Sequence, residues 1–194
     1  MKNLKMLTLV AGMAVAGLAS IGAITASATT LEVGGVTKNA SVTIEASLQA
    51  GTSSVVTDTT HSSVETCTGS TFKGSTASPF TGATVTAPLS TLTFTGCSHT
   101  TTVIRSGTLH FAWTSGTNAS VSSSGTEITT ISTLFGASCV DKTGSGTTIG
   151  TLTGVNSGQA ILHINAVVSK GICGSAIWTA TYVITSPSGL GVVS

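Results

Sequence analysis

The chain has 194 residues with 7 Lys+Arg, 6 Asp+Glu and 4 His, a formal net charge of +1. Only 7% of positions are charged, whereas 38 are Thr, 28 are Ser and 23 are Gly; an ordinary soluble domain carries about 25% charged residues. These figures exclude a coiled coil and a basic nucleic-acid footprint. They also exclude a charge-driven disordered chain, because hydropathy is high and net charge low.

Met1-Lys2-Asn3-Leu4-Lys5 is a short positive region, Met6 to Ile24 is almost wholly apolar or small, and Ala26-Ser27-Ala28 offers small residues at the −3 and −1 positions. Charge, apolar run and A-x-A site together predict a secretory signal peptide over 1–28, cleaved after Ala28. A membrane anchor is the rival, but the run is Gly/Ala-rich and no basic stop-transfer patch follows it. The expected mature chain, 29–194, retains 5 basic and 6 acidic residues, a net of −1. It has the size of one domain with a real core. No further apolar run of that length occurs, so no membrane span is expected in it.

After Thr29–Asn39 the chain alternates between strand patterns and Gly/Ser/Thr turns. Ser41 to Gln49 puts Val42, Ile44, Ala46 and Leu48 on one face. Ser90 to Thr95 puts Leu92 and Phe94 inward and Thr91, Thr93 and Thr95 outward. Gly107 to Thr114 aligns Leu109, Phe111 and Trp113, with His110 opposite. Ala176, Trp178, Ala180, Tyr182 and Ile184 alternate with Ile177, Thr179, Thr181 and Val183. Period-2 alternation is the mark of a strand with one face in a core, and threonine suits the outer face because its β-branch fits the pleat while its hydroxyl stays hydrated. The expected fold is all-β: a single antiparallel β-sandwich or barrel-like domain.

Cys67, Cys97, Cys139 and Cys173 form an even set in an exported chain, which predicts two disulfides. Three connectivities are open; Cys67–Cys97 and Cys139–Cys173 are favoured because each pair brackets strands that can return as neighbours. No two cysteines are closer than 30 positions, against the close pairs that zinc or a redox dithiol prefers.

Candidate chemistry is sparse. His61 and Glu65 are four apart in a loop- or strand-like context. His110 and His163 are expected on outer strand faces, and His99 completes the four histidines. No metal-type histidine spacing occurs, and Glu32, Glu45, Asp58, Glu65, Glu127 and Asp141 form no local carboxylate pair of the kind a glycosidase uses. G-x-S-x-G and phosphate-loop motifs are absent. Catalytic, cofactor-binding and metal-ligating residues are therefore predicted to be none. Trp113 and Trp178 are expected in the core, and Phe80, in a turn-rich stretch, is either an exposed aromatic or a loop plug.

Cys67-Thr-Gly-Ser-Thr-Phe-Lys-Gly, Leu92-Thr-Phe-Thr-Gly-Cys97, Gly107-Thr-Leu-His-Phe-Ala-Trp113 and Ala176-Ile-Trp-Thr-Ala-Thr-Tyr-Val-Ile-Thr-Ser-Pro187 together resemble a group of uncharacterised secreted bacterial β-rich proteins, from about Ser63 to the C-terminus. That resemblance implies no established activity. The order Cys97, Trp113, Cys173 is more loosely similar to immunoglobulin-type sandwiches, although the tyrosine expected two residues before the second cysteine is replaced by Gly171. The functional expectation is a secreted, non-catalytic protein of the cell surface or medium that binds a partner or self-associates. It uses no cofactor and binds no nucleic acid. The alternative is a small secreted hydrolase whose site is assembled from distant residues.

Overall fold

The computed structural model describes residues 28–59, 64–131 and 138–194. The leader predicted over 1–28 lies outside the described residues except for Ala28, as does His61. The strands, in chain order, are β1 Thr29–Val33, β2 Val36–Thr37, β3 Thr43–Leu48, β4 Ser54–Asp58, β5 Val64–Ser75, β6 Thr81–Gly82, β7 Val85–Cys97 and β8 Thr101–Arg105. There follow β9 Thr108–Ser115, β10 Asn118–Ser124, β11 Glu127–Ile131, β12 Ser138–Lys142, β13 Thr147–Thr153, β14 Ile161–Ser169, β15 Ser175–Ser186 and β16 Leu190–Val193. The one helical element among the described residues is a 3-10 turn at Gly171–Cys173.

Eight strands close into an antiparallel barrel: β3, β5, β7, β9, β10, β13, β14 and β15, with β15 returning to β3. One place in the wall is shared. β3 bridges the far halves of β5 and β15, and β4 bridges their near halves. Between them the chain turns at Gln49–Ser53, where Gly51 takes φ 78°, a left-handed conformation that glycine adopts without a Cβ penalty.

The alternation expected from sequence holds at the wall. Ile44 and Ala46, Leu109 and Phe111, and all five of Ala176, Trp178, Ala180, Tyr182 and Ile184 are buried. The core is filled across its width: the Phe72 and Tyr182 rings lie 5.3 Å apart at 60°, and Trp178 Nε1 donates to Ser54 Oγ at 2.9 Å. Eight strands make a barrel just wide enough for its own side chains to fill. A residual central cavity beside Phe72, Leu109 and Tyr182 measures only about 20 Å³. Trp113 is at the rim, half-buried against the core, with its indole N–H on the Gly116 carbonyl at 2.9 Å.

Both ends carry extra strands. At one, β16, β1 and β2 form a small sheet with β6 added on β1, and Leu31, Leu190 and Val192 join the barrel core. At the other, β12, β11 and β8 form a three-stranded flap attached to the barrel through the single pair Lys142↔Ser169. Both disulfides have the expected partners. Cys67–Cys97 spans directly opposed positions of β5 and β7, and Cys139–Cys173 ties the flap to the turn after β14. Cys97 and Cys173, the cysteines behind the immunoglobulin likeness, are therefore not bonded to each other.

Candidate functional site

The polar groups with chemical potential gather at the flap end. A cavity of about 30 Å³ lies between the barrel mouth and the flap, the share of liquid volume that one water occupies. Its walls include Glu65, Cys67, Thr130, Asp141, Val168 and Trp178.

Glu65 precedes the first disulfide by two residues on β5, and its carboxylate is enclosed by the loop after β7. Oε1 accepts from the His99 backbone N–H at 3.1 Å and from Thr101 Oγ1 at 3.2 Å. Oε2 accepts from Ser98 Oγ at 3.2 Å and from His99 Nδ1 at 2.5 Å. A carboxylate facing Nδ1 assigns the ring proton to that nitrogen. Ser98 Oγ stands on the same Nδ1 side, 3.3 Å away. A nucleophilic relay instead needs the serine on the nitrogen opposite the carboxylate, so these three residues are an orienting cluster and not a triad. His99 also borders an open surface hollow of about 480 Å³ formed by the Phe94–Thr101 segment. The Glu65 carboxylate and the two sulfurs of Cys67 and Cys97 lie within 4.8 Å of one another. With both sulfurs in a disulfide, neither is a thiolate ligand nor an S–H donor.

Asp141 sits on β12 with 7% of its surface exposed, and Oδ1 has no hydrogen-bond partner among the described residues. Burial pushes its pKa up to about 6 from 3.8; the Lys170 cation and a Thr130 hydroxyl pull it back, and the Glu65 charge adds to the rise. The placement follows from register. Lys142 pairs with Ser169, and both are exposed. Asp141 and Lys170, one residue further along each segment, are both buried, at 7% and 6% exposure. Side chains alternate across a strand, so Lys142 and Asp141 point to opposite faces of β12.

The other sequence candidates lie apart. His110 is half-buried on the outer face of β9, with Nε2 2.8 Å from Ser124 Oγ. His163 is exposed, with Nδ1 3.4 Å from Thr181 Oγ1. Glu45 pairs with Lys73 at 2.7 Å. Glu127 meets Lys142 at 3.2 Å and Arg105 at 4.0 Å. Glu32 is buried in the small sheet, and Phe80 is half-buried. Local spacing showed no carboxylate pair; the tertiary structure brings Glu65 and Asp141, from β5 and β12, to one cavity.

Set against family models, curated proteins and solved structures, the chain matches none. Its chemistry therefore rests on its own residues. The arrangement holds a small cavity beneath the flap, one oriented imidazole at the surface, and a buried carboxyl at Asp141.

Proposed function

We propose that this is a secreted, non-catalytic β-barrel protein that works through its outer surface, by binding a partner at the cell surface or by self-association. The observation that carries this reading is the filled barrel. Inside the barrel and beneath the flap, cavities of about 20 and 30 Å³ leave no chamber for an organic ligand, against the roughly 300–1,000 Å³ of small-molecule sites; the larger hollow beside His99 is open surface. Two disulfides fit an oxidising compartment, and kinship with secreted bacterial β-rich proteins belongs to the same proposal. Among the described residues no helix is long and apolar enough to cross a membrane. The outer wall presents Thr, Ser, His and Asn at Thr179, Ser169, His163 and Asn165, whereas a lipid-facing barrel carries an outward apolar band.

The contact surface that suits this reading is the flap edge. Barrel closure removes free edges from most of the wall; Ile177–Thr179 and Tyr182–Ile184 of β15 are paired on both sides. β8, in contrast, pairs with β11 alone among the described residues and exposes Ile104. An open edge offers backbone groups to an added strand. Light scattering across a concentration series tests the self-association arm. Mass growing with concentration, and abolished by Val103→Pro in β8, supports it; a strict monomer leaves partner binding.

The oriented imidazole favours a second reading, a small hydrolase with His99 as base at the open hollow. A panel of esterase, peptidase and glycosidase substrates decides between the two. Turnover lost in His99→Ala would replace the binding reading.

A further inference from the structure

The two sulfurs of the Cys67–Cys97 disulfide meet different surroundings. Cys67 is 3% exposed and lines the cavity beneath the flap. Cys97, opposite it on β7, is half-buried and borders the open hollow formed by Phe94–Thr101. A thiolate arriving from solution therefore reaches Cys97 Sγ, and Cys67 is the sulfur that leaves. A free Cys67 thiolate would stand in a cavity that Val168 and Trp178 also line, 3.9 Å from Glu65 Oε1. Loss of hydration and the neighbouring negative charge both disfavour it, so its release needs a proton. That proton has a path through groups already in contact. Glu65 Oε2 holds His99 Nδ1 at 2.5 Å, and the His99 side chain is 25% exposed.

We propose that Cys97 is an acceptor site for a small-molecule thiol, which joins it in a mixed disulfide and frees Cys67 as a buried thiol, with Glu65 as proton donor. The thiol R–SH first loses its proton to solvent, since the thiolate is the nucleophile. Its sulfur bonds to Cys97 Sγ as the Cys67–Cys97 bond breaks, and the electron pair of the broken bond stays on Cys67 Sγ. Cys67 takes a proton from the Glu65 carboxyl. Glu65 regains it from His99 Nδ1, and the ring regains it from solvent. One thiol and one disulfide thus become one mixed disulfide and one thiol, with no further oxidant or reductant. In the product the Cys67 S–H faces Glu65 Oε1 across the same 3.9 Å, a weak sulfur hydrogen bond that the closed disulfide does not make. The hollow of about 480 Å³ gives the added group room beside Ser98 and His99. Cys139–Cys173 also joins a buried to a half-buried sulfur, and it serves as the internal comparison.

Incubation of the native protein with glutathione, followed by trapping of free thiols with N-ethylmaleimide and mass spectrometry, tests the site. We expect one glutathione and one maleimide per chain. The glutathione should fall on tryptic peptide 74–105, which holds Cys97, and the maleimide on 39–73, which holds Cys67. Peptides 106–142 and 171–194 should stay joined through Cys139–Cys173. Glu65→Gln should slow adduct formation on the order of 100-fold, the lower end of what a positioned proton donor contributes. His99→Ala should be slowed as well and regain rate when free imidazole is added, a response that a purely structural role does not give. Glutathione on 39–73, earlier opening of Cys139–Cys173, or no adduct on the unaltered protein overturns the proposal. An adduct that forms as fast in Glu65→Gln as in the parent overturns the proton route, and a His99→Ala protein that imidazole leaves unchanged removes the ring from it.

Discussion

The Tyr182 hydroxyl, at the centre of the barrel, lies 2.8 Å from Ser70 Oγ, and that same Ser70 oxygen donates its proton to the Thr93 carbonyl at 2.7 Å. A serine has one proton to give, so the tyrosine must be the donor in the first bond. Three strands, β15, β5 and β7, are joined by this chain through the core.

Tyr182→Phe should therefore cost about 1 kcal/mol, the net worth of one buried hydrogen bond, because Ser70 keeps its bond to Thr93. Urea denaturation of the two proteins measures it. Tyr182 is also the only tyrosine, and burial pushes its pKa up to about 12 from 10.0. The neutral phenol's contribution to stability is complete below pH 10.0 and is lost as pH rises through about 12. Ultraviolet difference absorbance should show phenolate appearing only there, together with unfolding.

Asp141 gives a second pH dependence. With the folded pKa raised from 3.8 to about 6 by burial, the folded state binds the extra proton between those values. Stability from this group is complete below pH 3.8 and is lost as pH rises through about 6, a total on the order of 2–3 kcal/mol. Asp141→Asn should flatten that slope in denaturant titrations at pH 5 and pH 7.

Removing the Cys139–Cys173 bridge by paired Ser substitution should destabilise the protein by about 3–4 kcal/mol, since it closes a loop with sequence separation 34. The flap has only Lys142↔Ser169 as a ladder pair to the barrel, so limited proteolysis should cut there first in the variant. Cleavage at the same rate and sites as the parent would contradict this anchoring role.

Gly150→Ala tests the tightness of the wall. A Cβ at Gly150 would lie 1.8 Å from the His163 carbonyl oxygen of β14, a backbone atom that moves only with its strand. The irregularity that leaves Ile149 without a partner on β10 sits beside it and aims Ile149 into the core. The substitution should cost about 1–3 kcal/mol as an overpacking change, read as a drop in the denaturation midpoint. An unchanged midpoint would mean that β13 and β14 separate freely.

One part of the candidate site was within reach of the sequence. Glu65 and His99 each stand two positions outside Cys67 and Cys97, so the favoured disulfide together with an antiparallel ladder already places them opposite each other. Four-residue spacing drew attention to His61 instead, a helical relation in a chain of strands. The place of Asp141 was not legible in this way, because the 3-10 turn at Gly171–Cys173 shifts the Lys142↔Ser169 pairing by one relative to the Cys139–Cys173 bridge.

What the sequence determined by itself is local: the period-2 faces of β3, β9 and β15, the threonine exterior, and the even cysteine count. Each follows from steric and solvation preferences within a few residues. Tertiary structure alone decided that the sheet closes as a barrel, that β3 and β4 share one place in it, and that Glu65 and Asp141 meet at one cavity beneath the flap. Those relations join residues as far apart as 141 positions, as Glu45 and Ser186 are. Their register is set by twist, bulges and packing across strands that no local pattern encodes.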